Sequence, residues 1–129
     1  MNSIFTGTGV ALVTPMNEDF SIDYKGLESV LEHIHKGAVE YLVVLGTTGE
    51  ASTLSEKEKK EVTAAVIKNN PRKIPVVLGL GGNDTAAMVH KIKETDFSGI
   101  DAILSVNPYY NKPTQTGLFA HYSAIADAC

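Results

Sequence analysis

The most informative stretch of this 129-residue chain is Tyr41-Leu-Val-Val-Leu-Gly-Thr-Thr-Gly-Glu50. Its first half is apolar without polar alternation, which is typical of a parallel strand covered on both faces. Three further runs share this pattern, at residues 9–14, 74–79 and 100–106. The sequence therefore predicts four buried strands, the second of which ends in a glycine-flanked pair of threonines.

Four amphipathic patterns alternate with these strands and predict helices. The first carries apolar residues at helical spacing, begins at a cap on Ser21 or Asp23 and ends at Gly37. The second begins at the Ser55-x-x-Glu58 capping box and ends at Asn70-Pro71. The apolar residues expected to face inward on these two helices are Leu27, Val30, Leu31, Ile34, Val62, Ala65 and Val66.

The other two helices follow the third and fourth strands. The third is expected to begin at Asn83 or Asp84 and to end at Ser98-Gly99. The fourth is expected to begin near Thr114. Their predicted inward-facing residues are Met88, Val89, Ile92, Leu118, Tyr122 and Ile125.

The predicted order is βαβαβαβα, which implies right-handed crossovers and a parallel sheet. Two α/β architectures fit this order. One is an open doubly wound sheet. The other is a (β/α)8 TIM barrel of roughly 250 residues, of which four units are half. The pattern alone leaves both open.

Composition narrows the class of protein. The chain is 43% hydrophobic and 20% charged with a net charge of −4, as in ordinary globular domains. A single arginine, Arg72, in an acidic chain predicts no nucleic-acid partner. No apolar run could span a bilayer and no secretory signal opens the chain, so a cytoplasmic protein is expected. A lone cysteine, Cys129, and the absence of Cys/His clusters predict neither disulfide nor metal site.

Ligands of both architectures bind where the strands end, so these exits hold the candidate site. Thr47 and Thr48 lie between glycines at the second exit. They form either a donor-rich cradle for a carboxylate or phosphate, or a tight turn that caps the next helix. Tyr109 and Tyr110 at the fourth exit either act at an interface or in proton relay, or pack on their own helix.

Two other features favour structural interpretations. The glycines at positions 79, 81 and 82 do not form a dinucleotide fingerprint and indicate a strand-to-helix turn. The four histidines all fall within predicted helices, where a surface position is expected: His33, His35, His90 and His121.

Two motifs at the exits resemble one known family. Gly46-Thr-Thr-Gly-Glu50, with Leu54-Ser-Glu-Lys-Glu58, resembles the pyruvate-handling segment of the dihydrodipicolinate synthase / N-acetylneuraminate lyase superfamily. Pro108-Tyr-Tyr-Asn-Lys-Pro113 resembles its dihydrodipicolinate synthase branch in particular. The segments at residues 5–15 and 99–104 agree, so the resemblance runs from about residue 4 to the end.

The resemblance implies a TIM barrel whose first four βα units are residues 1–129. It implies a class I aldolase without cofactor, which condenses pyruvate, held as a Schiff base, with aspartate semialdehyde. The product is 4-hydroxy-tetrahydrodipicolinate, on the diaminopimelate route to lysine. It also implies a homotetramer built as a dimer of dimers.

Residue roles follow from the same resemblance. Thr48 is expected to hold the pyruvate carboxylate, and Thr47 to relay protons between a catalytic tyrosine and Tyr110. Tyr110 is expected to reach across the dimer interface, where Tyr109 stacks. Asn83 and Tyr109 match positions of an allosteric pocket for lysine.

The chain also departs from the family pattern. The Schiff-base lysine and the catalytic tyrosine lie beyond residue 129, so an inactive N-terminal half with exposed edges and apolar faces is expected. Lys59 and Ala87 stand where lysine-inhibited members carry histidine and glutamate, and Lys59 would repel a lysine ammonium. Two alternatives stay open, namely another 2-keto-acid lyase of the superfamily and an isolated α/β anion-binding module.

Overall fold

A computed structural model describes residues 4–129 and confirms the predicted alternation of strands and helices. Four strands form one sheet in the order β1-β2-β3-β4, with β1–β2 and β2–β3 paired in parallel. The strands are β1 Gly9–Ala11, β2 Tyr41–Val44, β3 Val76–Gly79 and β4 Ala102–Leu104. The α-helices are α1 Tyr24–Lys36, α2 Glu56–Lys68, α3 Thr85–Glu94 and α4 Gln115–Ala126. A short 3-10 helix, Thr47–Gly49, follows β2.

Each α-helix begins at a polar side chain that accepts a hydrogen bond from a first-turn amide. Asp23 caps α1, Asp84 caps α3 and Thr114 caps α4, which settles the predicted alternatives at the first and third helices. Ser55 and Glu58 form the predicted capping box of α2. These short polar side chains satisfy amides that have no partner within the helix, and so fix where each helix begins.

The helices end slightly earlier than predicted, with one exception. Gly37 closes α1 as expected. Asn69 closes α2 just before the predicted Asn70-Pro71. The third helix was predicted to run to Ser98-Gly99, but Thr95 already has extended backbone angles and closes α3. Its amide donates to the Ile92 carbonyl, so the local hydrogen bond ends the helix without glycine.

The chain divides into two compact units. The first comprises the residues up to Gly79 together with Gly99–Ile103, and the second comprises Leu80–Ser98 and Leu104–Cys129. The core of the first unit contains buried aliphatic residues of α1, α2 and the central strands: Leu27, Leu31, Leu42, Val44, Val62, Val66 and Val76. The second unit buries Leu80, Met88, Ile92, His121 and Ile125.

Burial of the strands was predicted correctly only for β2 and β3. The outer strands are shorter than the apolar runs suggested, and Val13, Leu104 and Val106 are about half exposed. An outer strand has a strand neighbour on one side only, within the described residues, so its apolar side chains find less cover. The apolar composition of a run therefore indicates which side chains the strand could bury, and not which of them are buried.

The fourth helix buries residues on the predicted face, but not all of the predicted ones. Ile125 is buried, but Tyr122 is 39% exposed and Leu118 is only partly covered. His121, predicted on the surface, is 3% exposed. Its Nδ1 lies 2.7 Å from the Thr85 hydroxyl at the start of α3, so one ring nitrogen has a partner, whereas Nε2 is buried without a hydrogen bond among the described residues.

Candidate active site

The turn that follows β2 presents the two predicted threonines. We call residues 46–50 the threonine turn. The Gly49 amide donates to the Gly46 carbonyl and the Glu50 amide to the Thr47 carbonyl, at 3.0 Å each. Leu45 and Glu50, on either side, adopt left-handed backbone angles with φ of 56° and 53°. Such angles are unfavourable for residues other than glycine and persist only where the surroundings impose them.

The hydroxyls of Thr47 and Thr48 are the side-chain donors that this turn offers. Both residues are exposed, and within residues 4–129 neither hydroxyl has a hydrogen-bond partner. The cradle of amides predicted from the sequence is smaller than expected, because the Gly49 and Glu50 amides are used inside the turn. What remains among residues 4–129 is the pair of adjacent hydroxyls and the Thr47 and Thr48 amides, at the carboxyl end of a parallel strand and suited to a small anionic group.

Thr14, at the exit of β1, is hydrogen-bonded to the threonine turn. Its Oγ1 donates to the Gly49 carbonyl at 2.7 Å, and the side chain is 6% exposed. A Cβ built on Gly49 would lie 3.1 Å from the Leu12 carbonyl oxygen, so the turn packs closely on the end of β1. The sequence pattern places Thr14 at the end of the first apolar run and assigns it no role. Its partner is 35 residues away in the chain, so no local pattern indicates the contact.

Gly79, the glycine at the third exit, allows two strand ends to pack closely. A Cβ on Gly79 would lie 2.0 Å from the Leu45 carbonyl oxygen, and Leu45 directly precedes the threonine turn. Only glycine lets the two strand ends approach this closely. The structural interpretation of this glycine is therefore confirmed.

The tyrosines lie in the loop at residues 107–113, which we call the tyrosine loop. The Tyr109 amide donates to Asn83 Oδ1 at 2.6 Å, so the turn before α3 holds this loop. The Asn111 amide donates to the Tyr109 carbonyl at 3.0 Å, which closes a three-residue turn around Tyr110. Tyr110 has φ of 72°, the strained form of such a turn, and is 93% exposed. An exposed aromatic held in a strained turn marks a candidate functional position.

The site residues predicted from the sequence fall in both compact units. Thr47 and Thr48 belong to the first unit, and Asn83, Tyr109 and Tyr110 belong to the second. Within its unit, each set is held by hydrogen bonds from the neighbouring strand exit.

The two positions that depart from the family pattern have partners of their own. Lys59 Nζ lies 2.8 Å from Glu56 Oε1, and its side chain is 22% exposed. The amide of Ala87 donates to Asp84 in the first turn of α3. Lys59 therefore lies next to a carboxylate on the same helix.

Residues 4–129 contain neither a metal-binding cluster nor a membrane-spanning helix. No cluster of three or more histidine, cysteine or carboxylate side chains could hold a metal ion there. No helix in the same part of the chain is long and apolar enough to cross a bilayer.

Parallel βα units with hydroxyl-bearing loops at the strand exits are the arrangement of the α/β class, whose open sheets and barrels both bind ligands at this end of the strands. Comparison with known proteins gives the family. Residues 4–129 match the model of the Dihydrodipicolinate synthetase family, and the chain belongs to this family.

Named relatives support this assignment. The 4-hydroxy-tetrahydrodipicolinate synthase of Flavobacterium psychrophilum is 52% identical over 124 residues, which cover 96% of this chain and 42% of the relative. The synthase of Parabacteroides distasonis is 52% identical over 122 residues, with 95% and 41% covered. The chain thus spans about two fifths of the length of these relatives.

Solved structures resolve the choice of architecture. The chloride-inhibited dihydrodipicolinate synthase of Acinetobacter baumannii, complexed with pyruvate, is 45% identical with a TM-score of 0.89. The aligned residues make up 95% of this chain and 42% of that structure. The enzyme of Cyanidioschyzon merolae with lysine bound is 36% identical with a TM-score of 0.90. The aligned residues make up 99% of this chain and 44% of that structure. The neighbouring structures are TIM barrels, so the four βα units belong to a barrel.

Proposed function

We propose that this chain is the first half of a class I aldolase that condenses pyruvate with aspartate semialdehyde to 4-hydroxy-tetrahydrodipicolinate. The carrying observation is the pair of hydroxyls on Thr47 and Thr48 at a strand exit, for which residues 4–129 provide no hydrogen-bond partner. A relative 45% identical to the chain is described as complexed with pyruvate. Pyruvate presents a small carboxylate, the kind of group that paired hydroxyl donors bind well.

The chemistry divides between this half and the rest of the barrel. A lysine beyond residue 129 attacks the pyruvate ketone and releases water to form the Schiff base. Loss of a methyl proton gives an enamine, whose carbon attacks the aldehyde. The amino group of the aspartate semialdehyde part then attacks the imine carbon, which closes the ring and releases the lysine amine. In this half, Thr48 binds the carboxylate while Thr47 and Tyr110 pass a proton toward the aldehyde oxygen. No cofactor takes part.

The proposed assembly is a homotetramer in which Tyr110 reaches the neighbouring subunit and Tyr109 stacks at the same interface. This assembly is supported by Tyr110, whose side chain is 93% exposed in a turn with a strained backbone. A contact with the neighbouring subunit would account for both features. The Pro108-to-Pro113 motif favours this synthase over the sialic-acid lyase branch. Assaying the full-length protein with aspartate semialdehyde and pyruvate, against sialic acid, separates the two branches.

Borohydride trapping tests the division of the chemistry. The full-length protein incubated with pyruvate and borohydride is expected to gain the mass of a reduced pyruvate adduct on one lysine. The 129-residue chain, treated identically, is expected to gain none. An adduct on the short chain would show that the Schiff-base lysine lies within it, and no adduct on the full-length protein would overturn the aldolase.

Substitution of the two threonines tests their roles. In the full-length protein, Thr48→Val is expected to raise the pyruvate KM by about tenfold or more, because a hydrogen bond to a charged carboxylate is lost. Thr47→Val is expected to lower kcat by about a hundredfold, because a proton-transfer step is impaired. Thr116→Val, at an exposed position of α4, is the control. Equal kinetics for all three variants would contradict the proposal.

A further inference from the structure

Thr14 is one of two polar residues buried among residues 4–129, the other being His121. Burial of a hydroxyl costs free energy unless it is hydrogen-bonded, so the group to which Thr14 donates indicates which part of the chain the residue stabilises. That group is the carbonyl of Gly49, at 2.7 Å, within the threonine turn. Thr14 lies outside the paired part of β1, so its hydroxyl does not contribute to the sheet itself.

The turn needs an external contact at this position. Its internal hydrogen bonds use the Gly46 and Thr47 carbonyls, and the Gly49 carbonyl takes the hydroxyl of Thr14. Left-handed angles at Leu45 and Glu50 on either side favour relaxation of the turn unless something restrains it. The contact also acts one residue from Thr48, so a shift of the Gly49 peptide would move the Thr48 hydroxyl.

We propose that Thr14 is a positioning residue that fixes the threonine turn in the conformation that binds the carboxylate of the keto-acid substrate. This inference rests on the proposed function and extends it to a residue of the first strand exit. Thr14 does not touch the substrate. It holds the Gly49 peptide and thereby sets the direction of the Thr48 hydroxyl.

Two substitutions separate the hydrogen bond from the packing. Thr14→Val keeps the shape and removes the donor, which leaves the Gly49 carbonyl buried without a partner. Thr14→Ser keeps the donor and removes a methyl group. Thr63→Val is the matched control, because Thr63, which is partly buried, likewise donates to a backbone carbonyl at 2.8 Å, on α2.

The kinetic test uses the full-length protein. The valine variant at position 14 is expected to raise the pyruvate KM by about tenfold, the cost of one buried hydrogen bond, with little change in the KM for aspartate semialdehyde. The serine variant and the Thr63 control are expected to stay within about twofold of the parent protein. Equal loss in the valine and serine variants would show that packing alone matters and would overturn the proposal.

Hydrogen exchange provides a readout that does not depend on activity. The peptide covering residues 46–50 is expected to exchange about tenfold faster in the valine variant and unchanged in the serine variant. Unchanged exchange in the valine variant would overturn the positioning role even if activity fell. If the parent protein does not act on pyruvate, the proposed function fails, and the exchange result still decides whether Thr14 holds the turn.

Discussion

At the scale of the residue, Gly79 is the position where a single methyl group would do most harm. Its Cβ would lie 2.0 Å from the Leu45 carbonyl oxygen and 2.4 Å from the carbonyl carbon. Both are backbone atoms, which cannot rotate away as a side chain would. We expect Gly79→Ala to lower the free energy of unfolding by about 3 kcal/mol, the upper end for overpacking, measured by urea denaturation.

Gly46 provides the matched control for this prediction. It lies directly after Leu45, has an ordinary φ of −71°, and a Cβ there would meet nothing nearer than 3.8 Å. Gly46→Ala is therefore expected to change the free energy of unfolding by less than about 0.5 kcal/mol. Equal destabilisation by the two alanines would show that glycine flexibility, and not the close approach of the strand ends, decides the effect.

His121 shows why individual site residues were harder to predict than elements. Residues 118, 121, 122 and 125 share one helical face by spacing, and hydropathy favours Tyr122 over His121 as the buried member. The structure buries His121 with its Nδ1 on the Thr85 hydroxyl, 36 residues away in the chain. Tyr122 stays 39% exposed with its hydroxyl on the Ser105 carbonyl at 3.3 Å. A local pattern carries no information about such partners.

At the scale of the element, the capping box of α2 makes helix stability depend on pH. The Ser55 hydroxyl, and then its amide, donate to the Glu58 carboxylate and hold its pKa below the ordinary value. A carboxyl whose pKa is lowered by folding stabilises the folded state fully above its unfolded pKa, about 4.3 for glutamate. This contribution is lost as the pH falls through the lowered pKa.

Glu58→Gln should therefore flatten the acid limb of the stability curve. We expect the difference in free energy of unfolding between the parent and the glutamine variant to shrink steadily below about pH 4.3. Urea denaturation at a series of pH values measures it. Glu28→Gln, at an exposed position in the middle of α1, is the control. Its acid limb should stay steeper than that of the Glu58→Gln variant. A difference that is constant with pH would contradict the role of the charge.

Elements were predicted well where the signal is local, and less well where it is not. The capping residues Asp23, Ser55 and Thr114 fixed three helix starts, because a cap and its amide lie within three residues. Strand lengths were overestimated for β1 and β4, since the extent of pairing depends on a neighbour that the run does not encode. The conformation of the threonine turn likewise depends on Thr14, which is distant in sequence.

A hydrogen bond from the Tyr109 amide to Asn83 links the tyrosine loop to the turn before α3, and it can be removed selectively. Asn83→Ala leaves the Tyr109 amide without its acceptor, and Asn83→Asp keeps an oxygen in the same place. We expect exchange of the Tyr109 amide to rise by roughly fivefold in the alanine variant, because the loop opens more often. The aspartate variant should stay near the parent rate. Faster exchange in both variants would show that the amide nitrogen of Asn83 also restrains the loop.

At the scale of the whole molecule, the 129-residue chain exposes surface of the kind that proteins usually cover. The sheet places β1 and β4 outermost, and among residues 4–129 each has a strand neighbour on one side only. Large apolar side chains are also exposed, with Phe119 at 76% and Leu104 at 52%. Open strand edges and apolar patches both favour association with other chains.

Concentration-dependent association of the 129-residue chain follows from these edges. We expect sedimentation velocity to show larger species as the protein concentration rises. Leu104→Lys should reduce them, because a lysine on an edge strand is costly to bury against another strand. Ser98→Lys changes the net charge equally at an exposed position outside the strands and is the control. If both lysines reduce association alike, net charge is the cause. Only a selective effect at Leu104 identifies the edge of β4 as the contact surface.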